Sequence, residues 1–213
     1  MEVRNSNVII KVKDSILILL AFVFLVAFSV PAFDENLTSN SLNNLERIMW
    51  VIWGAFILDF LYEYISAKDK KLYLLKHWFD VLALIFPFFR PLRLMRLFSF
   101  GSLLLSKVSV AKSMNIAIKV VVTALFIAYI CGIQITLVER PIENSNIKSA
   151  ADGLWWALTT VTTVGYGDRF PVTTTGRTIA FALMIVGISL VGVITANVAA
   201  WFVRMNESKQ GEE

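Results

Sequence analysis

The chain has 213 residues, of which 57% are hydrophobic and only 17% charged, with mean hydropathy +0.68. A soluble domain of this length carries far more polar surface, so the composition describes a protein with several membrane spans. The formal net charge of +4 suits basic loops beside a membrane rather than a nucleic-acid-binding surface.

Ser15 to Phe33 is an uncharged stretch long enough to span, preceded by Lys11 and Lys13. A signal peptide ending near "SVPAF" is the competing reading. A second segment runs from Arg47 to Ile65, interrupted by Asp59 and Glu63. The third, Trp78 to Phe89, is short and carries Asp80 near its start, and the fourth begins with "RPLRLMRLF". Val120 to Val138 is the fifth and Thr178 to Val203 the sixth, both uncharged. Between them, Ala150 to Pro171 is apolar but too short and too glycine-punctuated to cross. The expectation is an all-α membrane protein with six transmembrane helices and a re-entrant segment.

Lysine and arginine bias sets the orientation. With the N-terminus inside, the inner segments hold Arg4, Lys11, Lys13, Lys68, Lys70, Lys71, Lys76, Lys107, Lys112, Lys119, Arg204 and Lys209. The outer loops hold Arg47, Arg140, Lys148, Arg169 and Arg177. Both termini are therefore expected in the cytoplasm of a multi-pass cell-membrane protein, with basic loops facing anionic lipid at the inner face. With the short ending "NESKQGEE", no cytoplasmic ligand-binding domain is expected. Asn36-Leu37-Thr38 is an outside glycosylation sequon, relevant only in a secretory pathway.

One cysteine, Cys131, lies in an apolar run and one histidine, His77, in a basic loop. No zinc site and no Ser/His/Asp or Cys/His set is available, which argues against an enzyme.

The stretch Thr162-Thr163-Val164-Gly165-Tyr166-Gly167-Asp168 is where the chain declines to be helical at membrane depth. Unpaired carbonyls cost several kcal/mol each in a bilayer, and such backbone survives only inside protein or along a water-filled path. Carbonyls aimed at a dehydrated cation are satisfied by it. Glycine at 165 and 167 permits the backbone angles this requires.

"LWWALTTVTTVGYGD" resembles the pore helix and selectivity filter of tetrameric potassium channels, and the chain from about Arg47 to Arg204 is similar to prokaryotic voltage-gated ones, most specifically from Ala150 to Pro171. That resemblance implies that Thr163, Val164, Gly165, Tyr166 and Gly167 coordinate K+ with backbone oxygens, the Thr163 hydroxyl closing the inner end. It implies an aromatic cuff of Trp155, Trp156 and Tyr166, with Asp168 bonded back to Trp155. One motif per chain implies a homotetramer, or a tetramer with close relatives. No cofactor is expected, K+ being the permeant ligand and the only metal. The implied domains are a sensor-like four-helix unit with linker over 1–112 and a pore domain over 113–213.

"MIVGISLVGVITANVAAWFV" resembles the inner helix of the same family. Gly187 matches its hinge glycine; close packing against the pore helix is the other role open to it. Val191, Thr195 and Ala199 recur every fourth residue and share a face, expected to line the cavity and close it by dewetting. No Pro-x-Pro kink is present.

Arg90, Arg93 and Arg96 recur at every third residue, a slow spiral of charge along one side of a helix. With Phe56, Asp59 and Asp80 they resemble the charge-transfer site of voltage sensors, Glu63 departing from the usual pattern. Ser99 and Ser102 take the next positions, so the series is short, and snorkelling anchors are the alternative. Ser106 to Lys112 would couple sensor to pore. At the outer mouth, Phe170 would offer a ring to quaternary ammonium ions. Arg169 would repel potassium unless paired with a carboxylate such as Asp168.

Overall fold

The computed structural model describes residues 2–67, 69–76 and 116–210. They are helical and contain no strand. Four of the described helices are long and apolar enough to cross a membrane by length and composition: Ser15–Phe33, Ser39–Ser66, Ile118–Glu139 and Thr174–Val203. The expected third and fourth segments, with Asp80, Arg90, Arg93, Arg96 and the linker from Ser106 to Lys112, lie outside the described residues. The chain divides into two compact units, Met1–Ser109 and Val110–Glu213.

In the first unit, helix α1 (Glu2–Phe33) packs on α2 (Ser39–Ser66), and α3 (Lys70–Lys76) follows. Leu17, Ala21, Phe24 and Phe28 recur at helical spacing and are buried, as is Ile52 of α2. Ile16, Leu19, Phe22 and Val26 on the other side of α1 are exposed apolar side chains, a surface suited to lipid. The helix runs through the "SVPAF" stretch with Pro31 in its last turn.

Helix α2 starts at Ser39 rather than at Arg47. Thr38 caps it, its hydroxyl accepting from the Ser41 amide at 3.3 Å. Hydropathy located the apolar part of this helix, whereas the cap decides where the backbone turns helical. Asp69 caps α3 by accepting from the amides of Lys71 and Leu72, each at 3.1 Å. The Tyr73 hydroxyl then donates to Glu63 at 2.9 Å, tying α3 back to the end of α2. Phe56 and Asp59 sit half-buried on α2.

The second unit consists of α4 (Ile116–Glu139), α5 (Ala150–Val161) and α6 (Thr174–Gln210), mutually packed. Helix α5 has 12 residues, so it is roughly 18 Å long, too short for a hydrocarbon layer of about 30 Å. It packs between two helices that are long and apolar enough to span. Its core contacts are made by Ile130, Ile133 and Ile135 of α4, Trp156, Ala157 and Val161 of α5, and Leu183 of α6, all buried. Cys131 is buried and free. A Cβ on Gly153 would lie 2.3 Å from the Gly132 carbonyl oxygen, so α4 and α5 cross with backbones almost touching.

Candidate functional site: the loop after the short helix

Helix α5 is positioned at both ends. At its start, Ser149 and Asp152 form a capping box: the Ser149 hydroxyl accepts from the Asp152 amide at 3.2 Å, and Asp152 Oδ2 accepts from the Ser149 amide at 3.0 Å. At its end, Val161 rests on Gly187 of α6, where an added Cβ would sit 2.7 Å from the Val161 carbonyl oxygen. Gly187 is buried in this contact and α6 continues through it as one helix. The packing role is therefore realised in the structure at that residue.

The loop leaving α5 keeps its first amides on the helix. Thr163 N–H donates to the Thr160 carbonyl and Gly165 N–H to the Thr159 carbonyl, each at 3.0 Å. Backbone hand then alternates. Thr163, Gly165 and Gly167 have φ of 59°, 55° and 77°. Thr163 is the one non-glycine with positive φ among the described residues, so Val164 and Tyr166 between them are negative. Alternating hand turns successive peptides the same way, gathering N–H groups on one side and carbonyls on the other. Among the described residues, no hydrogen bond reaches the carbonyl oxygens of Thr163 to Gly167. Glycine at 165 and 167 supplies positive φ without cost. Thr163 does so as a β-branched residue, a strained placement that no rule of composition would have suggested.

Behind the loop, the Trp155 and Tyr166 rings stack at 5.6 Å with planes 7° apart. Trp155 Nε1 donates to Asp168 Oδ2 at 2.9 Å. Trp156 points into the core instead, only 4% exposed. Arg169 is paired, but with Asp152 rather than Asp168: Nε to Oδ1 is 2.8 Å, while its Nη1 reaches the Asp168 carbonyl oxygen at 3.3 Å. Asp152 has its second oxygen on the capping box, so one carboxylate serves helix and loop together. Burial pushes its carboxyl up. Hydrogen bonds from Arg169, from the amide and hydroxyl of Ser149 and from the Lys148 amide outweigh that and hold it down at about 2. Phe170 is exposed, its ring free of the core.

Three residues that hold the loop were not singled out from the string. Asn146 bonds Asp168 and Phe170. Asp152 pairs Arg169. Glu139, fully buried at the end of α4, accepts from the amides of Val172 and Thr173 and from the Thr173 hydroxyl. Asp152 had a readable signal, the Ser-x-x-acid pattern ahead of an apolar run. Glu139 reads only as a charge flanking a span, and Asn146 as one polar loop residue among several.

On α6, Val191, Thr195 and Ala199 are all exposed, forming an uncovered strip on the single chain.

A short helix held between two spanning helices, followed by a loop of open carbonyls, is the build of an ion-channel pore domain. Residues 116–204 match the family model described as an ion channel. Over 83 residues the chain is 45% identical to a voltage-gated potassium channel of Aeropyrum pernix, covering 39% of this chain and 27% of that one. It is 36% identical over 95 residues to a calcium-gated potassium channel of Thermoplasma volcanium, covering 42% and 27%. A cyclic nucleotide-gated potassium channel of Mesorhizobium japonicum aligns over 202 residues at 26% identity, covering 83% of this chain and 53% of that one. Residues 116–204 are therefore an ion-channel domain similar to those of potassium channels, and the apolar helices are those of a multi-pass membrane protein. Its matches span about a quarter to about half of these relatives' lengths.

Proposed function

We propose that the protein is a homotetrameric channel conducting K+ passively and selectively across the cell membrane, with both termini in the cytoplasm and anionic lipid at the inner face. Four copies of the 163–167 carbonyl series replace the hydration shell of the ion, and no cofactor takes part. The alternation of backbone hand at Thr163, Gly165 and Gly167 carries this reading, because it leaves a run of carbonyls without protein partners. Val191, Thr195 and Ala199 line the inner path, and Gly187 keeps α6 against α5. Flux from liposomes holding the purified full-length chain tests it: K+ should pass and Na+ should not. Equal flux of both ions, or of neither, would sink it.

Membrane voltage is the proposed gating stimulus, with opening on depolarisation. Arg90, Arg93 and Arg96 carry the charge, the Phe56 ring separates inner from outer water, and Asp59 and Asp80 receive each arginine in turn. One charge crossing the full field is worth about 2.3 kcal/mol per 100 mV, so three per subunit in a tetramer give an upper limit of roughly 28 kcal/mol. Neutralising Arg93 to Gln should flatten the conductance–voltage curve; an unchanged slope removes the sensor. Beside a non-conducting modulatory subunit, which flux from the isolated chain would remove, the second reading is a voltage-insensitive channel gated by lipid or another factor, favoured by relatives named calcium-gated and cyclic nucleotide-gated. A flat conductance–voltage curve in the unmodified protein would select it.

A further inference from the structure

The carbonyl series has a defined outer end. From Thr163 to Gly167 the oxygens accept no hydrogen bond among the described residues, but the next one, on Asp168, accepts two. Asn146 Nδ2 donates to it at 2.9 Å and Arg169 Nη1 at 3.3 Å. The same Asn146 side chain accepts from the Phe170 amide through Oδ1 at 3.2 Å. One amide thus bonds the carbonyl before Arg169 and the N–H after it, as a neighbouring strand would. Only one orientation of the amide satisfies both partners, since a carbonyl needs a donor and an N–H needs an acceptor. Arg169 itself is pulled the other way, onto Asp152 at the start of α5.

These bonds hold the backbone of a stretch whose other ties run through side chains, Asp168 to Trp155 and Arg169 to Asp152. Asp168 and Phe170 are exposed, and the Gly167 backbone just before them sits at positive φ. The connection from Asn146 spans 22 and 24 residues, so it ties the loop between α4 and α5 to the loop after α5. The Asp168 and Gly167 peptide planes meet at the Asp168 Cα, so fixing the Asp168 carbonyl limits the dihedral angles through which the Gly167 carbonyl can turn.

We infer that Asn146 is a positioning residue for ion conduction: by occupying the Asp168 carbonyl and the Phe170 amide it ends the cation-coordinating column at Gly167 and sets the geometry of the outermost ion position. This rests on the potassium-channel reading above. Asn146 acts through the backbone of residues 168–170 and does not touch the ion. Its loss loosens the outer oxygen layer, so more external K+ is needed to keep the column in its conducting form.

The experiment uses the full-length chain in planar bilayers, with conductance measured against external K+. Asn146→Leu removes both bonds and should raise the K+ concentration that half-maintains conduction about fivefold, the factor expected of an ordinary hydrogen-bond loss. Asn146→Asp divides the pair of bonds. Its carboxylate still accepts from Phe170 but cannot donate to Asp168, so near pH 7 it should behave like the leucine variant. Once protonated, at about pH 4 to 5, its O–H can donate again and conduction should move back toward the unmodified value. The nearby charged groups are Asp168, Arg169 and Asp152; Asp152 stays ionised in that range, and the unmodified protein measured at each pH corrects for Asp168. If Asn146→Leu fails to assemble, the reversible acid response of Asn146→Asp carries the test. An unshifted K+ dependence in Asn146→Leu would overturn the inference, as would an Asn146→Asp channel that acid does not restore. If the unmodified protein passes no K+, the channel reading itself falls and takes this inference with it.

Discussion

Glu139, the last residue of α4, and Thr173, the residue before α6, hold each other across 34 positions of sequence. Glu139 Oε1 accepts from the Thr173 amide at 3.0 Å and from its hydroxyl at 2.6 Å. The same hydroxyl accepts from the Gly176 amide at 2.8 Å, which makes Thr173 the cap of α6. A buried carboxylate with no cation beside it among the described residues is tolerable because three donors, including the Val172 amide at 3.1 Å, face it. Removing it with Glu139→Ala strands two part-buried amides at about 1–3 kcal/mol each, so a loss of about 2–6 kcal/mol is expected. Glu139→Gln keeps one acceptor oxygen and should lose about half as much. Thermal unfolding of the detergent-solubilised protein reads both.

Gly187 separates packing from hinging. Its added Cβ would lie 2.7 Å from the Val161 carbonyl oxygen, closer than side chains approach backbone. Gly187→Ala should therefore lower stability by about 1–3 kcal/mol through displacement of α5. Gly187→Val should lower it further. A residue that served only as a hinge would leave the unfolding temperature alone and change open probability, so measuring both quantities distinguishes the roles.

Gly165→Ala tests the carbonyl column directly. A Cβ there meets nothing within 4 Å of its own chain, so no clash drives the effect. The cost is the φ of 55°, about 1–2 kcal/mol for an alanine. The variant should still insert and assemble, because the helices are untouched, but K+ flux should fall to background. Retained flux would show that backbone hand at this position does not govern conduction.

Asp152 gives a pH signature of known direction. Its carboxyl is held at about 2 against an ordinary 3.8. A lowered folded-state value means that its contribution to stability is present above the ordinary carboxylate range and lost as pH falls toward 2. The capping box and the Arg169 pair should thus survive at pH 5 and weaken between about 4 and 2. A titration of Asp152 followed by carboxyl-carbon NMR should place its midpoint well below that of an exposed aspartate. A midpoint near 4 would mean that the Arg169 bond is absent in solution.

The sequence by itself determined that the chain is built of membrane-capable apolar helices, where the four described ones run, and that the backbone leaves the helix after Val161. Those features depend on hydropathy and glycine placement, which are local properties. Hydropathy was blind to helix ends: α2 begins at Thr38's cap, well before the apolar run that marked it. Only the tertiary structure decided what holds the exit of the loop. Arg169 meets Asp152 across 17 residues, Asn146 meets Asp168 across 22, and Glu139 meets Val172 across 33. A polar side chain announces that it needs a partner, but not which one. Chain folding brings several donors and acceptors to the same place, and the pair that forms is the one whose geometry and burial leave no group unsatisfied. For that reason the carboxylate beside Arg169 belongs to the start of α5 rather than to its neighbour Asp168, whose side chain is already turned to Trp155.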